Sequence, residues 1–128
     1  MTVTLTTPVL YTAADGLARF RDDALALEQG APAARLSALM GSQGCQFRVS
    51  PVGFETAFHC TTTPQWLVVL RGRMEIGLRD GSVRVFGPGE FFYSADTLPA
   101  GVQFDAGVHG HRSRQLGAEP LVTLFVRA

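Results

Sequence analysis

Apolar and polar side chains alternate through residues 73–79, and this period of two is the strongest constraint on the fold. Successive side chains of a strand point to opposite faces of its sheet, so the apolar members of this segment share one face: Met74, Ile76 and Leu78. Asp80-Gly81 follows, a pair that favours the positive-φ turn of a β-hairpin, and the alternation resumes in residues 83–86. Similar short segments, separated by turn residues, continue from Gln46 onward, a pattern typical of an antiparallel sandwich or barrel.

The composition indicates one ordinary globular domain, 1–128. Of its 128 residues, 46% are hydrophobic and 17% are charged, and no long polar tract interrupts them. The 11 basic residues are all arginines, balance 11 acidic ones and are scattered along the chain. Nucleic acids and membrane surfaces are recognised by clustered basic residues, so we expect neither as a partner.

No segment has the form of a membrane span or a secretion signal. The longest apolar run, residues 66–70, is far too short to cross a bilayer, and the first five residues lack a basic stretch followed by an apolar core. We therefore expect a cytoplasmic location. In that compartment Cys45 and Cys60 are expected to stay reduced.

The first forty or so residues fit two kinds of element. Leu17, Phe20 and Ala24 keep helical spacing, yet residues 17–21 also alternate as a strand would. Pro32 would end either element. Periodicity alone leaves the choice between helix and strand open.

A regular spacing of glycines and polar residues lies near the middle of the chain. Gly53 is followed by His59, then by Thr61, by Gln65 and finally by Gly72. This spacing resembles the first signature motif of the cupin superfamily, in which two histidines and a glutamate bind a metal inside a small β-barrel. Thr61 and Gln65 stand where the family has the second histidine and the glutamate.

The resemblance implies an all-β fold, a cupin-type antiparallel β-barrel of the double-stranded β-helix, jelly-roll-like kind. Residues 44–128 would form the barrel core. Residues 1–43 would be an extended N-terminal segment that covers the barrel or a dimer interface, which favours strands in that region. A homodimer is expected because small cupins commonly pair, and because Val9, Leu10 and Tyr11 are too apolar to be left in solvent.

Two alignments of the family's second motif are possible. Residues 99–101 (Pro-Ala-Gly) match one element of it, which would put Phe104 where the family has a metal-binding histidine. Residues 110–114 (Gly-His-Arg-Ser-Arg) resemble a Gly-His-Arg-Thr-Arg phrase of many small cupins, which would make His111 that histidine after an inserted loop. We favour His111 because it keeps an imidazole where the fold usually has one.

Strand parity groups the candidate metal ligands. If His59 faces the barrel interior, Gln65 on the next strand faces it too, and His109 shares a face with His111. Three imidazoles and an amide oxygen could then bind a divalent metal such as Fe, Zn, Ni or Cu. The alternative is a site without metal, because Gln65 lacks the charge that offsets a divalent cation in a cavity.

Without a metal, His59 and His111 could act as general acid and base, because a free imidazole has a pKa of about 6.5. Glu55 would join them as a third catalytic group if burial raised its pKa, although a solvated strand position is the simpler interpretation. Other side chains are candidates for the lining of a pocket: Phe47, Thr61, Phe92 and Phe104.

The function that the resemblance implies is binding of a small molecule inside the barrel. An enzyme on a small organic substrate would be a dioxygenase with metal, and an isomerase, cyclase or lyase without it. The alternative is a non-catalytic cupin that binds or senses a ligand. The fold does not decide between them.

Overall fold

The computed structural model describes residues 3–128 and contains eleven β-strands. None of the described residues forms a helix, so none of them offers a helix that could cross a membrane. The all-β prediction is confirmed. The strands are β1 (Thr4–Thr12), β2 (Ala18–Ala26), β3 (Gln29–Ala31), β4 (Ala34–Leu36), β5 (Cys45–Ser50), β6 (Gln65–Arg71), β7 (Arg73–Gly77), β8 (Val83–Phe86), β9 (Phe91–Ala95), β10 (Arg112–Leu116) and β11 (Leu121–Arg127).

The strands form two main sheets. Six strands make one sheet in the order β2-β1-β9-β6-β11-β5, and three make the other in the order β10-β7-β8, while β3 and β4 pair separately. All these neighbours are antiparallel except β1 and β9, which are parallel. The sheets do not close into the predicted barrel, because residues 54–61 meet residues 111–114 through two isolated bridges and not through a continuous ladder.

The two sheets pack face to face around one hydrophobic core. Leu67 and Val69 of β6 point into it from the larger sheet, and Met74 and Ile76 of β7 point into it from the smaller one. This is the parity that the sequence predicts for both strands. The other buried members of the core are Leu10, Ala18, Phe86, Phe92 and Leu121.

The β7–β8 hairpin forms where the sequence predicts it. Gly81 has a φ of 87°, and the Asp80 carboxylate accepts hydrogen bonds from the backbone N–H and the hydroxyl of Ser82 at 2.9 and 2.6 Å. The carboxylate therefore fixes the turn from within, as a short acidic side chain does in such turns.

The N-terminal segment folds as strands and not as a helix. β1 and β2 form a long hairpin at the edge of the larger sheet, and Val9 and Leu10 are 4% and 0% exposed within a single chain. Their apolarity, which motivated the dimer prediction, is thus largely satisfied by the chain's own core. The homodimer stays a prediction.

Candidate active site

The site is built around a backbone bridge between His59 and His111. Each residue donates its N–H to the carbonyl of the other at 2.9 Å. Gly110 makes this approach possible: it has a φ of 93°, and a Cβ at that position would lie 2.7 Å from the carbonyl oxygen of His59. The close backbones bring the two imidazole rings to a centroid separation of 4.7 Å.

A buried carboxylate holds one of these imidazoles. Asp96 is fully buried and its Oδ2 lies 2.8 Å from Nδ1 of His111, while its Oδ1 accepts a hydrogen bond of 2.7 Å from the Thr12 hydroxyl. The parallel pairing of β1 with β9 places Thr12 beside Asp96, since Tyr11 stands opposite Ala95 in the register. Both carboxylate oxygens are therefore occupied, which fixes the carboxylate and the ring together.

The hydrogen bonds assign the same tautomer to both imidazoles. A carboxylate accepts from Nδ1 of His111, and the Ala57 carbonyl oxygen lies 3.0 Å from Nδ1 of His59, so each ring carries its proton on Nδ1 when neutral. Nε2 is then an acceptor on each ring. Within residues 3–128, no hydrogen bond reaches either Nε2 atom, and both histidines border one cavity.

This cavity has a volume of about 200 Å³ and lies between the two sheets. At about 30 Å³ per water molecule it has room for roughly seven waters, the size of a small metabolite. Its apolar lining consists of Phe54, Leu67, Met74, Ile76, Phe92 and Phe125. Its polar lining consists of Arg48, Ser50, His59, Cys60, Thr61, Thr62, Gln65, Ser94, His111 and Ser113.

Five of the predicted site residues border the cavity: His59, Thr61, Gln65, Phe92 and His111. Gln65 shares the inward face of β6 with Leu67, as parity predicts. The hydroxyl of Thr61 lies 2.7 Å from that of Ser94, so Thr61 has a partner inside the protein.

Glu55 and Phe47 lie outside the cavity. Glu55 is exposed, forms an isolated backbone bridge with Arg114 and borders a different surface pocket. Residues 54–61 are not a regular strand, so parity from His59 does not hold there. Phe47 is 73% exposed, since β5 turns Arg48 inward and its odd-numbered neighbours outward. The structure thus places Phe47 away from the pocket that the sequence predicts for it.

Phe104 and His109 also lie apart from the cavity, on the loop that precedes β10. Nδ1 of His109 accepts a hydrogen bond of 2.9 Å from the backbone N–H of Asp105, and the His109 ring stands 6.1 Å from that of Phe104. Parity between His109 and His111 fails because Gly110, with its positive φ, redirects the chain between them. Of the two alignments of the second motif, the one with His111 brings an imidazole into the cavity.

The predicted metal ligands do not assemble as one set. His59, Gln65 and His111 border the cavity without His109, and residues 3–128 contain no group of three or more His, Cys, Asp or Glu side chains arranged to ligate a metal. A stable site for a divalent transition metal commonly takes three or four strong protein ligands. Two imidazoles and a neutral amide do not fit that requirement, so no step below depends on a metal.

Asp96 is the site residue that sequence reasoning missed. The alternation of β9 carries the signal, because Phe92, Ser94 and Asp96 follow one another at a spacing of two and all three are buried. A carboxylate that ends the inward face of a strand is expensive to bury without partners. Its presence there indicates a polar centre at that end of the sheet.

The pKa of His59 is lowered from its ordinary value. Burial of the ring is the largest cause; the Ala57 carbonyl opposes it, and the neighbouring His111 adds to the lowering. We therefore expect an NMR titration of the imidazole signals to give His59 a pKa below about 6.5. A value at or above that of a free imidazole would contradict the partial burial of this ring.

The lowered pKa of His59 also determines how the free energy of unfolding changes with pH. The unfolded chain takes up the His59 proton near pH 6.5, whereas the folded state takes it up only at lower pH. The contribution of His59 to the free energy of unfolding is therefore constant above that window and falls as the pH drops through it. His59→Gln should remove this part of the pH dependence.

Comparison with known proteins gives weak structural likeness and no sequence match. No protein-family model and no curated protein matches the sequence. A crystal structure of a provisionally assigned mannose-6-phosphate isomerase from Ralstonia eutropha JMP134 is similar with a TM-score of 0.38 and 18% identity, over 98% of this chain and 84% of that chain. A likeness of this size defines neither a fold family nor an activity for this protein.

Proposed function

We propose that this protein is a small-molecule enzyme of the cupin type that works by general acid–base catalysis in the cavity between its sheets. The observation that carries the proposal is the buried Asp96–His111 pair at the edge of that cavity. A carboxylate that fixes an imidazole and leaves its other nitrogen facing a ligand space is the arrangement of a general base and its orienting group.

His111 is the proposed base. Its Nε2 accepts a proton from the bound molecule, and the imidazolium that forms keeps its Nδ1–H on the Asp96 carboxylate, 2.8 Å away. Asp96 is then the positioning residue: it holds the tautomer and stabilises the charge in a place from which water is excluded.

His59 is the second proposed catalytic group. Its lowered pKa keeps the ring neutral at pH 7, so its Nε2 accepts a hydrogen bond from the same molecule and receives or returns a proton on the other side of the reacting atoms. Moving a proton between two positions of one molecule is the chemistry of an isomerase, a cyclase or a lyase. A dioxygenase needs a metal centre, which the ligand set described above does not favour.

Non-catalytic binding is the second candidate function. The six apolar side chains of the cavity favour it, because they would contribute affinity for a ligand and no chemistry.

The test uses the three histidines of the chain as reporters. We expect a metabolite screen, read by NMR of the imidazole signals, to find a ligand that shifts His59 and His111 together and leaves His109 unchanged. Turnover of that ligand should fall about 10²–10⁴-fold in His111→Ala, the usual contribution of a general base. His109→Ala is the matched control and should retain the activity.

Three other outcomes would change the conclusion. Saturable binding without turnover would replace the enzyme with the non-catalytic alternative. Turnover that survives His111→Ala would contradict the role of His111. Elemental analysis that finds a stoichiometric metal in protein purified without chelator would restore the metal-dependent alternative.

A further inference from the structure

We propose that the ligand of this cavity is a small organic acid, whose carboxylate is bound by Arg48 and whose apolar body lies on the cavity floor. This inference rests on the proposed function, since it assigns a substrate class to the same cavity. Its evidence is independent of the two histidines. It comes from the environment of Arg48, from the charges of the lining and from the division of the lining into polar and apolar parts.

The guanidinium of Arg48 is held by aromatic rings at the cavity. Arg48 is an exposed residue of the edge strand β5 that borders the cavity, and its Cζ stands 4.8 Å from the ring centroid of Phe54 and 5.8 Å from that of Phe125. All three residues border the cavity. Contact with rings orients a guanidinium plane and leaves its N–H groups at the edge for a bidentate partner.

Arg48 has no carboxylate partner among residues 3–128. Four arginine–carboxylate pairs form there, and none of them includes Arg48. Four of the other ten arginines have one, for example Arg114 with Glu75 at 2.9 Å and Arg84 with Asp22 at 2.8 Å. A guanidinium that lines a cavity between aromatic rings, without an internal anion, is suited to an anion from outside.

Among the described residues, Arg48 is the only side chain of the lining with a permanent charge. Arg48, His59 and His111 border the cavity, and no aspartate or glutamate does so within the described residues. Asp96 contacts His111 but does not border the cavity, and both its oxygens already accept hydrogen bonds. Burial is the main cause that lowers the pKa of His59, and the charge of Arg48 is a smaller one, so the field of the guanidinium reaches the proposed catalytic ring.

The shape of the cavity determines the rest of the ligand. A volume of about 200 Å³ limits the body to roughly six carbon atoms beyond the carboxylate. Leu67, Met74, Ile76 and Phe92 form an apolar surface for that body. A single guanidinium matches the two oxygens of a carboxylate, whereas a phosphate dianion is commonly bound by several donors.

The experiment compares acids with their uncharged amides. The probes are benzoate against benzamide and hexanoate against hexanamide, with inorganic phosphate as a third arm, each titrated while the imidazole signals of His59 and His111 are followed. We expect at least one acid to bind about tenfold or more tightly than its amide. Arg48→Gln should abolish that preference, while Arg35→Gln, the same change on exposed β4, should keep it.

The outcomes separate this inference from the proposed function. Equal affinity of acid and amide, or a preference that survives Arg48→Gln, would overturn the carboxylate assignment. So would tighter binding of phosphate than of every acid. If the metabolite screen finds uncharged ligands and no acid binds, the carboxylate assignment alone is wrong; if nothing shifts both histidines, the proposed function falls with it.

Discussion

Gly110→Ala is expected to lower the free energy of unfolding by about 3 kcal/mol and to separate the two imidazoles of the site. A positive φ of 93° costs an alanine about 1–2 kcal/mol. Its Cβ would also lie 2.7, 2.8 and 2.9 Å from three backbone atoms of His59, which belong to the bridge and cannot rotate away. Urea denaturation measures the loss, and the His59 and His111 NMR signals report the separation.

Gly101→Ala is the matched control for this variant. Gly101 has a φ of 77°, and a Cβ there would meet no heavy atom within 4 Å. It should therefore show the conformational cost alone, about 1–2 kcal/mol, and leave both imidazole signals in place. Equal losses for Gly110→Ala and Gly101→Ala would mean that the contact with His59 carries no strain.

Local pattern predicted the parts of the fold that depend on neighbours in sequence. The alternation around Met74 and Ile76 and the turn at Asp80-Gly81 each involve a few adjacent residues, and both form as predicted. His59 and Gln65 lie close together in the sequence, so their spacing was enough to predict that they share one cavity. Both border that cavity in the structure. Such features need no knowledge of distant strands.

The features that sequence reasoning missed depend on distant strands or on a single glycine. Asp96 acquires its role through Thr12, 84 residues away, and this contact exists because β1 joins β9 in parallel. Alternation says nothing about strand direction, so the parallel pair was not predictable from it. His109 was expected beside His111 because parity was carried across Gly110 without allowance for its positive φ.

The edge strand β5 shows a third reason why sequence reasoning missed part of the site. Its residues alternate as predicted, but the assumption that the apolar face turns inward is wrong for this strand. Arg48 and Ser50 border the cavity, whereas Phe47 and Val49 are 73% and 67% exposed. A ligand cavity needs polar groups on an inward face, so the usual rule for a hydrophobic core fails at the place where function is built.

We expect Asp96→Ala to lower the free energy of unfolding more than any other substitution considered in this protein. Asp96→Ala leaves the Nδ1–H of the buried His111 and the hydroxyl of the partly buried Thr12 without their acceptor. Leaving a buried donor unsatisfied costs about 1–3 kcal/mol, and here two donors lose their acceptor. Asp22→Ala breaks the exposed pair with Arg84 instead, and it should cost no more than about 1 kcal/mol.

Asp96→Asn separates the catalytic role of this residue from its structural one. An asparagine has nearly the shape of aspartate and can still accept from Nδ1–H of His111, so most of the stability should remain. Its amide is neutral and cannot stabilise the imidazolium, so turnover of the ligand found by the screen should fall by about 10² or more. If Asp96→Asn kept full turnover while Asp96→Ala unfolded the protein, Asp96 would be a structural carboxylate, and His111 would have to act without it.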